Sequence, residues 1–255
     1  MPDRPYILSE TSWKTVKMTT YEVAVLPWGA TEAHNYHLPY GTDIVESNTI
    51  AAESARIAWE AGAKIVVLPT VPFGVNTGQL DIPLTINVNP STQAALLRDV
   101  TDSLSRQGIR KLIVLNSHGG NDFRQMIREL QPEYPEMFLC TINWWQIVDQ
   151  TRYFEEADDH AGEMETSVML KIAPELVRPL AEAGPGKAKK FKLHGLRERW
   201  VWAPRLWTKV TEDTGVGNPS KASVQKGEGY LNAVTQRIGG FLIELAASDV
   251  QDMYE

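Results

Sequence analysis

Glu32, His34, His37 and Asp43 fall within twelve consecutive positions of the run Pro27-Trp28-Gly29-Ala30-Thr31-Glu32-Ala33-His34-Asn35-Tyr36-His37-Leu38-Pro39-Tyr40-Gly41-Thr42-Asp43. Two of them, Glu32 and His34, are two residues apart, which in an extended segment turns both side chains to the same side. His118 lies in Asn116-Ser117-His118-Gly119-Gly120-Asn121, and His160 opens His160-Ala161-Gly162-Glu163-Met164-Glu165-Thr166. Imidazole and carboxylate together suit Zn, Mn or Fe, and an aspartate shared between two ions is a common way to hold a two-metal site. Any one of these residues taken alone reads more simply as polar loop surface. The chain has only five His, however, and four of them sit in these three segments.

Positioning such a set requires a scaffold that ends several elements at one place. An apolar run, Val23-Ala24-Val25-Leu26, precedes the first loop, and 22–26 is expected as a strand. Residues 45–61 carry a helical apolar face with Gly62 as the stop, and 64–68 form a second strand. A long connection, 69–90, rich in Pro, Gly and Asn, is expected to form a wall of the site, with only 84–88 strand-like. A helix then starts at Pro90 and runs to a Gly108 stop, 110–115 is a third strand, 122–130 a helix and 137–142 a fourth strand. Another helix opens at His160 toward Ala173, and 221–247 closes the chain as a helix. Residues 9–18 are expected as a short amphipathic helix, 181–192 as an exposed loop, and 199–210 as a small ribbon whose Trp200, Trp202 and Trp207 serve as core or subunit contacts. Strand and helix alternating four times imply an α/β fold, with a mostly parallel sheet covered by helices on both faces. Without a repeat, low-complexity tract or linker, 1–255 reads as a single domain.

Composition narrows the classes. Apolar residues make up 43% and charged residues 22%, which excludes disorder and collagen-like repeats. A formal net charge of −7 argues against a nucleic-acid surface. The amino terminus, Met1-Pro2-Asp3-Arg4-Pro5-Tyr6, leads into a polar stretch, and no window reaches the length of a membrane span, so a cytoplasmic protein with no membrane partner is expected. The single Cys140, inside an apolar run, reads as a core thiol. The glycines after His118 match neither a dinucleotide fingerprint nor a P-loop, and there is no Gly-x-Ser-x-Gly elbow. Trp144 and Trp145, at a strand end, are placed to stack on a flat substrate.

The three loaded segments, in this order and joined by Gly215-Val216-Gly217-Asn218-Pro219 with Ala222-Ser223 and Lys226-Gly227, resemble the motifs of the creatininase (creatinine amidohydrolase) family. The resemblance spans nearly the whole chain. It implies a three-layer α/β/α fold, a binuclear centre of Zn, Mn or Fe, hydrolysis of small and sometimes cyclic amides, and a homo-oligomer, often a hexamer. Position by position it implies Glu32, His34, Asp43 and His118 as metal ligands, with Asp43 bridging, and His160 as the catalytic proton carrier.

Two departures stand out. Creatininase itself has Glu where this chain has Gly120, and the expectation here is that Glu165 supplies the missing carboxylate. Gly120 also resembles branches of the family acting on other amides, such as formamide deformylases and peptide-trimming enzymes. Asn35 and Tyr36 stand in place of Gly-Pro, so the loop backbone is expected to differ there. The expected reaction is attack of metal-activated water on the carbonyl carbon of a small-molecule amide. Backbone N–H groups of Gly119 and Gly120 would steady the oxyanion, and Trp145 would contact the substrate. A relative that kept the fold as a non-catalytic small-molecule binder is the rival from another class.

Overall fold

In the computed structural model, residues 4–156 and 159–255 are described; Met1, Pro2 and Asp3, the start of the polar amino-terminal stretch, lie outside them. In chain order the elements are α1 (Trp13–Lys17), β1 (Val23–Trp28), α2 (Thr42–Glu60), β2 (Ile65–Val67), α3 (Pro90–Arg106), β3 (Lys111–Asn116), α4 (Arg124–Leu130), β4 (Phe138–Asn143), α5 (Glu163–Ile172), α6 (His194–Arg197), α7 (Trp207–Val210) and α8 (Val224–Ala247). The four strands form one parallel sheet in the order β2-β1-β3-β4. Every residue of β1, β2 and β3 is buried, the continuous apolar signature of strands covered on both faces.

Strand alternation divides the core in two. Val23 and Val25 face a cluster with Ile50 and Ala55 of α2, Val168 of α5 and Tyr230, Val234 and Leu242 of α8. Ala24, Leu26 and Trp28 face the other way, against Leu97 and Leu104 of α3 and Met126 and Leu130 of α4. The result is a three-layer α/β/α sandwich. Gly62 and Gly108 end α2 and α3 with φ of 101° and 81°, a left-handed conformation that glycine adopts without strain. Among the described residues no helix is long and apolar enough to cross a membrane.

Several expectations shift. The 9–18 helix shrinks to a 3-10 turn, Leu8–Glu10, and the single turn of α1, with Trp13 and Met18 exposed. Residues 84–88 make only isolated bridges, Ile86 to Thr31 and Asn87 to Gly74, because Leu84 has φ 63° and breaks the extended run. The 199–210 ribbon is absent: Arg199 has φ 65° and Pro204 removes a ladder donor, so the period-two tryptophans sit on irregular chain between α6 and α7. Trp200 and Trp202 are 72% and 83% exposed, which excludes a place in this chain's core. The carboxy-terminal helix begins at Val224, capped by Ser223 Oγ accepting from Lys226 N.

Candidate metal centre

Strand β1 lies between β2 and β3, so the connections from β1 and from β3 leave the sheet in opposite directions. In open α/β sheets the crevice beyond such a switch point, at the carboxyl ends of the strands, is where ligands bind. The loops after β1 and β3 meet there. Gly29 makes the approach close enough: a Cβ at that position would lie 2.8 Å from the main chain of Asp43 and Ile44. Asp43 is thereby held in the first turn of α2, where the helix dipole favours a carboxylate.

Six of the predicted residues converge. Glu32 Oε1 lies 2.8 Å from His118 Nδ1, 3.8 Å from His160 Nδ1 and 4.0 Å from His34 Nε2. Asp43 divides its oxygens, with Oδ1 3.0 Å from His34 Nε2 and Oδ2 3.1 Å from His118 Nδ1. Three overlapping groups of possible ligand atoms result: Glu32–Asp43–His118, His34–Asp43–Glu165 and Glu32–His34–His160. Glu32, His34 and Asp43 are almost wholly buried, and His118 and His160 nearly so.

The imidazoles are fixed from behind. His34 Nδ1 lies 3.1 Å from the Glu32 carbonyl, His118 Nε2 3.0 Å from the Val75 carbonyl and His160 Nε2 2.8 Å from the Ala33 carbonyl. A nitrogen facing a carbonyl carries the proton, which turns the other ring nitrogen toward the carboxylates, the arrangement of metal-binding histidines. Asp43 Oδ2 is buried without a hydrogen-bond partner of good geometry. Both observations fit divalent cations among these donors.

The electrostatics follow from burial and pairing. Burial works to raise Glu32, but the His118, His160 and His34 imidazoles overcome it and hold the carboxyl well below the usual range. Burial likewise opposes charge on His34, and the Asp43 carboxylate reverses this, lifting it to about 10. His118 is raised well above the ordinary value: desolvation acts to lower it, and Glu32 and Asp43 outweigh that. His160 is lowered, first by burial and then by the neighbouring His34 charge. His160 is thus the imidazole of the cluster disposed to be neutral.

The two acidic residues of the third motif separate. In a helix, positions two apart point in nearly opposite directions. Glu163 accepts from the Glu155 and Glu156 amides at 2.9 Å and pairs with Lys226. Glu165 is the one that reaches His34 and Asp43, with its Oε2 accepting from Ala161 N. His37 is not in the cluster; its Nε2 lies 2.8 Å from Thr166 Oγ1. His194 lies away in α6.

Gly120 has a steric cause. A Cβ there would come within 2.2 Å of the Val75 carbonyl and 2.4 Å of His118 Nε2, the two partners of the bond that orients His118. Asn121 braces the same region, its Oδ1 accepting from Val75 N at 3.0 Å and from Gln93 Nε2 at 2.8 Å. The departure at Asn35 is accommodated too: it holds φ 54°, and its side chain exchanges hydrogen bonds with both the amide and the carbonyl of Gly184.

A cavity of about 830 Å³ opens onto this cluster. Gly119, Gly120 and Trp145, the residues expected to contact substrate, line it, and so do Val75 to Gln79 of the long connection. Trp144 is buried and donates from Nε1 to Ser117 Oγ at 2.8 Å, so it braces the His118 loop. Two further residues border the cluster: Trp207, expected from the sequence as a core or subunit contact, and Gln79, for which the sequence carried no signal. Trp207 meets the His160 ring edge-on at 4.8 Å, and Gln79 donates to Glu32. Arg205 lies over Trp207 and pairs with Asp159 at 2.6 Å.

The creatininase family profile, described as creatinine amidohydrolase, matches residues 9–242, and the chain belongs to the creatininase family. A mycofactocin precursor peptide peptidase of Mycolicibacterium smegmatis is 30% identical over 81% of this chain and 78% of its own length. A creatinine amidohydrolase of Pseudomonas putida is 25% identical over 67% of this chain and 73% of its own. Among solved structures, a Bacteroides fragilis protein given a provisional creatinine amidohydrolase assignment is 46% identical, superposes with a TM-score of 0.93 and pairs 99% of this chain with all of its own. A manganese form of creatininase, 21% identical with a TM-score of 0.77 over 95% of this chain and 99% of its own, shares the fold.

Proposed function

We propose that this chain is a binuclear metal-dependent amidohydrolase that cleaves the C–N bond of a small amide. The observation that carries this reading is the set of three imidazoles, each tied by one nitrogen to a main-chain carbonyl and turned by the other toward Glu32, Asp43 or Glu165. Glu32, Asp43 and His118 would hold one divalent ion, and His34, Asp43 and Glu165 the other, with Asp43 giving one oxygen to each. Zn, Mn or Fe suits this donor set. Relatives named for amide and peptide hydrolysis, and the manganese form of creatininase, support it.

Bound divalent ions supply Lewis acidity, polarising a carbonyl and making water nucleophilic near neutral pH. The chain's own residues do the rest. His160, neutral and fixed at Nε2, takes the proton from the attacking water at Nδ1 and returns it to the departing nitrogen as the C–N bond breaks. Such proton transfer typically contributes about 10²–10⁴-fold. The Gly119 and Gly120 amides face the developing oxyanion, and Trp145 and Trp207 exclude water around it.

A second reading, a peptide-type or other extended amide, is favoured by the cavity itself. Its volume of about 830 Å³ lies toward the upper end of the roughly 300–1,000 Å³ range of ligand pockets, more than a single small ring requires. Assembly into a homo-oligomer, up to a hexamer, would also cover Trp200 and Trp202, and light scattering tests it. For the activity, elemental analysis should find about two transition-metal ions per chain, and a panel of lactams, formamides and short peptides should reveal turnover. Protein that takes up no metal from Mn- or Zn-replete medium would end the hydrolase reading. Turnover retained in His160→Ala would remove that side chain from the mechanism.

A further inference from the structure

Gln79 ends the one-turn 3-10 helix Thr77–Gln79 in the connection between β2 and α3, and it is 2% exposed. Its Nε2 donates to Glu32 Oε2. The other oxygen of that carboxylate, Oε1, is the one that lies 2.8–4.0 Å from His118, His160 and His34. Glu32 is therefore divided between a neutral amide on one side and three imidazoles on the other.

The opposite end of Gln79 is informative. Its Oε1 is buried and has no hydrogen-bond partner. An interior carboxamide ordinarily satisfies both ends, because a buried carbonyl without a partner has lost its hydration for nothing. A side chain kept for stability alone would be apolar or satisfied throughout. Gln79 is satisfied where it meets Glu32. The turn that carries it is held in place, with Gln79 N donating to the Asn76 carbonyl at 2.9 Å and Asn76 N to Asn87 Oδ1 at 2.8 Å.

The side-chain type also fits one task. An amide NH₂ donates and offers no lone pair to a cation, so it cannot compete as a ligand, and it stays neutral across the working pH range. Histidine or a carboxylate at this position would do one or the other. We propose that Gln79 is a positioning residue for Glu32: it occupies Oε2, stops rotation of the carboxylate, and leaves Oε1 as the single oxygen presented to the metal cluster. This rests on the metal reading above. Gln79 acts through Glu32 and is given no contact with the reacting atoms.

Cobalt(II) titration of the metal-stripped full-length chain tests it, read by visible absorption and by competition for affinity, with thermal unfolding as the check on folding. The near-isosteric Gln79→Met removes the donor. It is expected to unfold close to the wild-type temperature, to bind cobalt about 10–100-fold more weakly, and to show a changed d–d band as Glu32 turns both oxygens to the ion. Gln79→Glu, which cannot donate when ionised, should change the band as well and gives a second route should the Met variant misfold. A folded variant of either kind with wild-type affinity and an unchanged band would overturn the proposal. Wild-type protein that binds no cobalt is a different result: it removes the metal reading, and this inference with it.

Discussion

The cluster at the strand ends and the segment around α6 and α7 border the same cavity, and they are built in opposite ways. Glu32, His34, Asp43, His118 and His160 are buried, and each imidazole is locked from behind by a main-chain carbonyl. Around α6 and α7, Leu193 just before α6 and Trp200, Trp202 and Leu206 on the irregular chain between the two four-residue helices are more than 60% exposed. Burial and anchoring restrict where these side chains can sit, which ligand placement needs. An exposed, loosely tied border tolerates change in shape, which is what substrate choice needs. The two meet at Trp207, whose ring touches His160.

If that division is real, substitutions in the cluster should destroy metal binding or turnover, and substitutions at the border should alter only which substrate enters. Asp43→Ala should have the largest effect, because under the proposed two-ion reading Asp43 would present one oxygen toward each ion: metal content falls to near zero and turnover to background, by elemental analysis and assay. An Asp43→Ala protein that still holds two ions would take the bridging role away from it. Glu165→Gln comes next and should leave about one ion per chain, since Glu165 belongs to the His34–Asp43 group alone. Full metal content in that variant would break the compensation for the carboxylate that Gly120 lacks.

The sequence made the cluster legible because its residues sit in motifs directly after apolar strands, and parallel strands carry such loops to one edge. The fold was legible for a related reason: strands buried on both faces read as unbroken apolar runs, and helices stop at Gly62 and Gly108. Pairings across long separations were not legible. Gln79 is 47 residues from Glu32, in a stretch whose Pro, Gly and Asn indicate irregular chain without indicating which amide turns inward. His37 shares the first loop with His34 yet turns to Thr166, because the chain reverses between them, with Leu38 N bonding the His34 carbonyl at 3.3 Å. The exposed tryptophans misled because a period of two marks a strand only where a neighbouring strand exists to pair with.

The border predicts a smaller effect. Trp202 lines the cavity while 83% exposed. On whichever amide turns over, Trp202→Ala should raise KM by about tenfold with kcat within about twofold, the pattern of lost uniform binding. Metal content should not change. A fall in kcat with unchanged KM would mean that the border takes part in the chemical step, and the contrast between the two regions would fail.

His37 separates scaffold from site in a third place, behind the cluster. Its Nε2 meets Thr166 at the start of α5, and its Nδ1 is buried without a partner. Burial first, then the charge of His34, pushes this imidazole down to about 4. The unfolded chain has an ordinary histidine near 6.5, so below that pH the unfolded state binds a proton that the folded state refuses until about pH 4. The stability associated with neutral His37 is therefore present above pH 6.5 and is lost as the pH falls toward 4. Thermal unfolding of wild type should drop between pH 7 and pH 5, and His37→Gln should flatten part of that drop while keeping a group able to bond Thr166. Parallel unfolding curves for the two proteins over that interval would assign the acid sensitivity to the cluster itself, where protons would compete with any bound cation for the imidazoles.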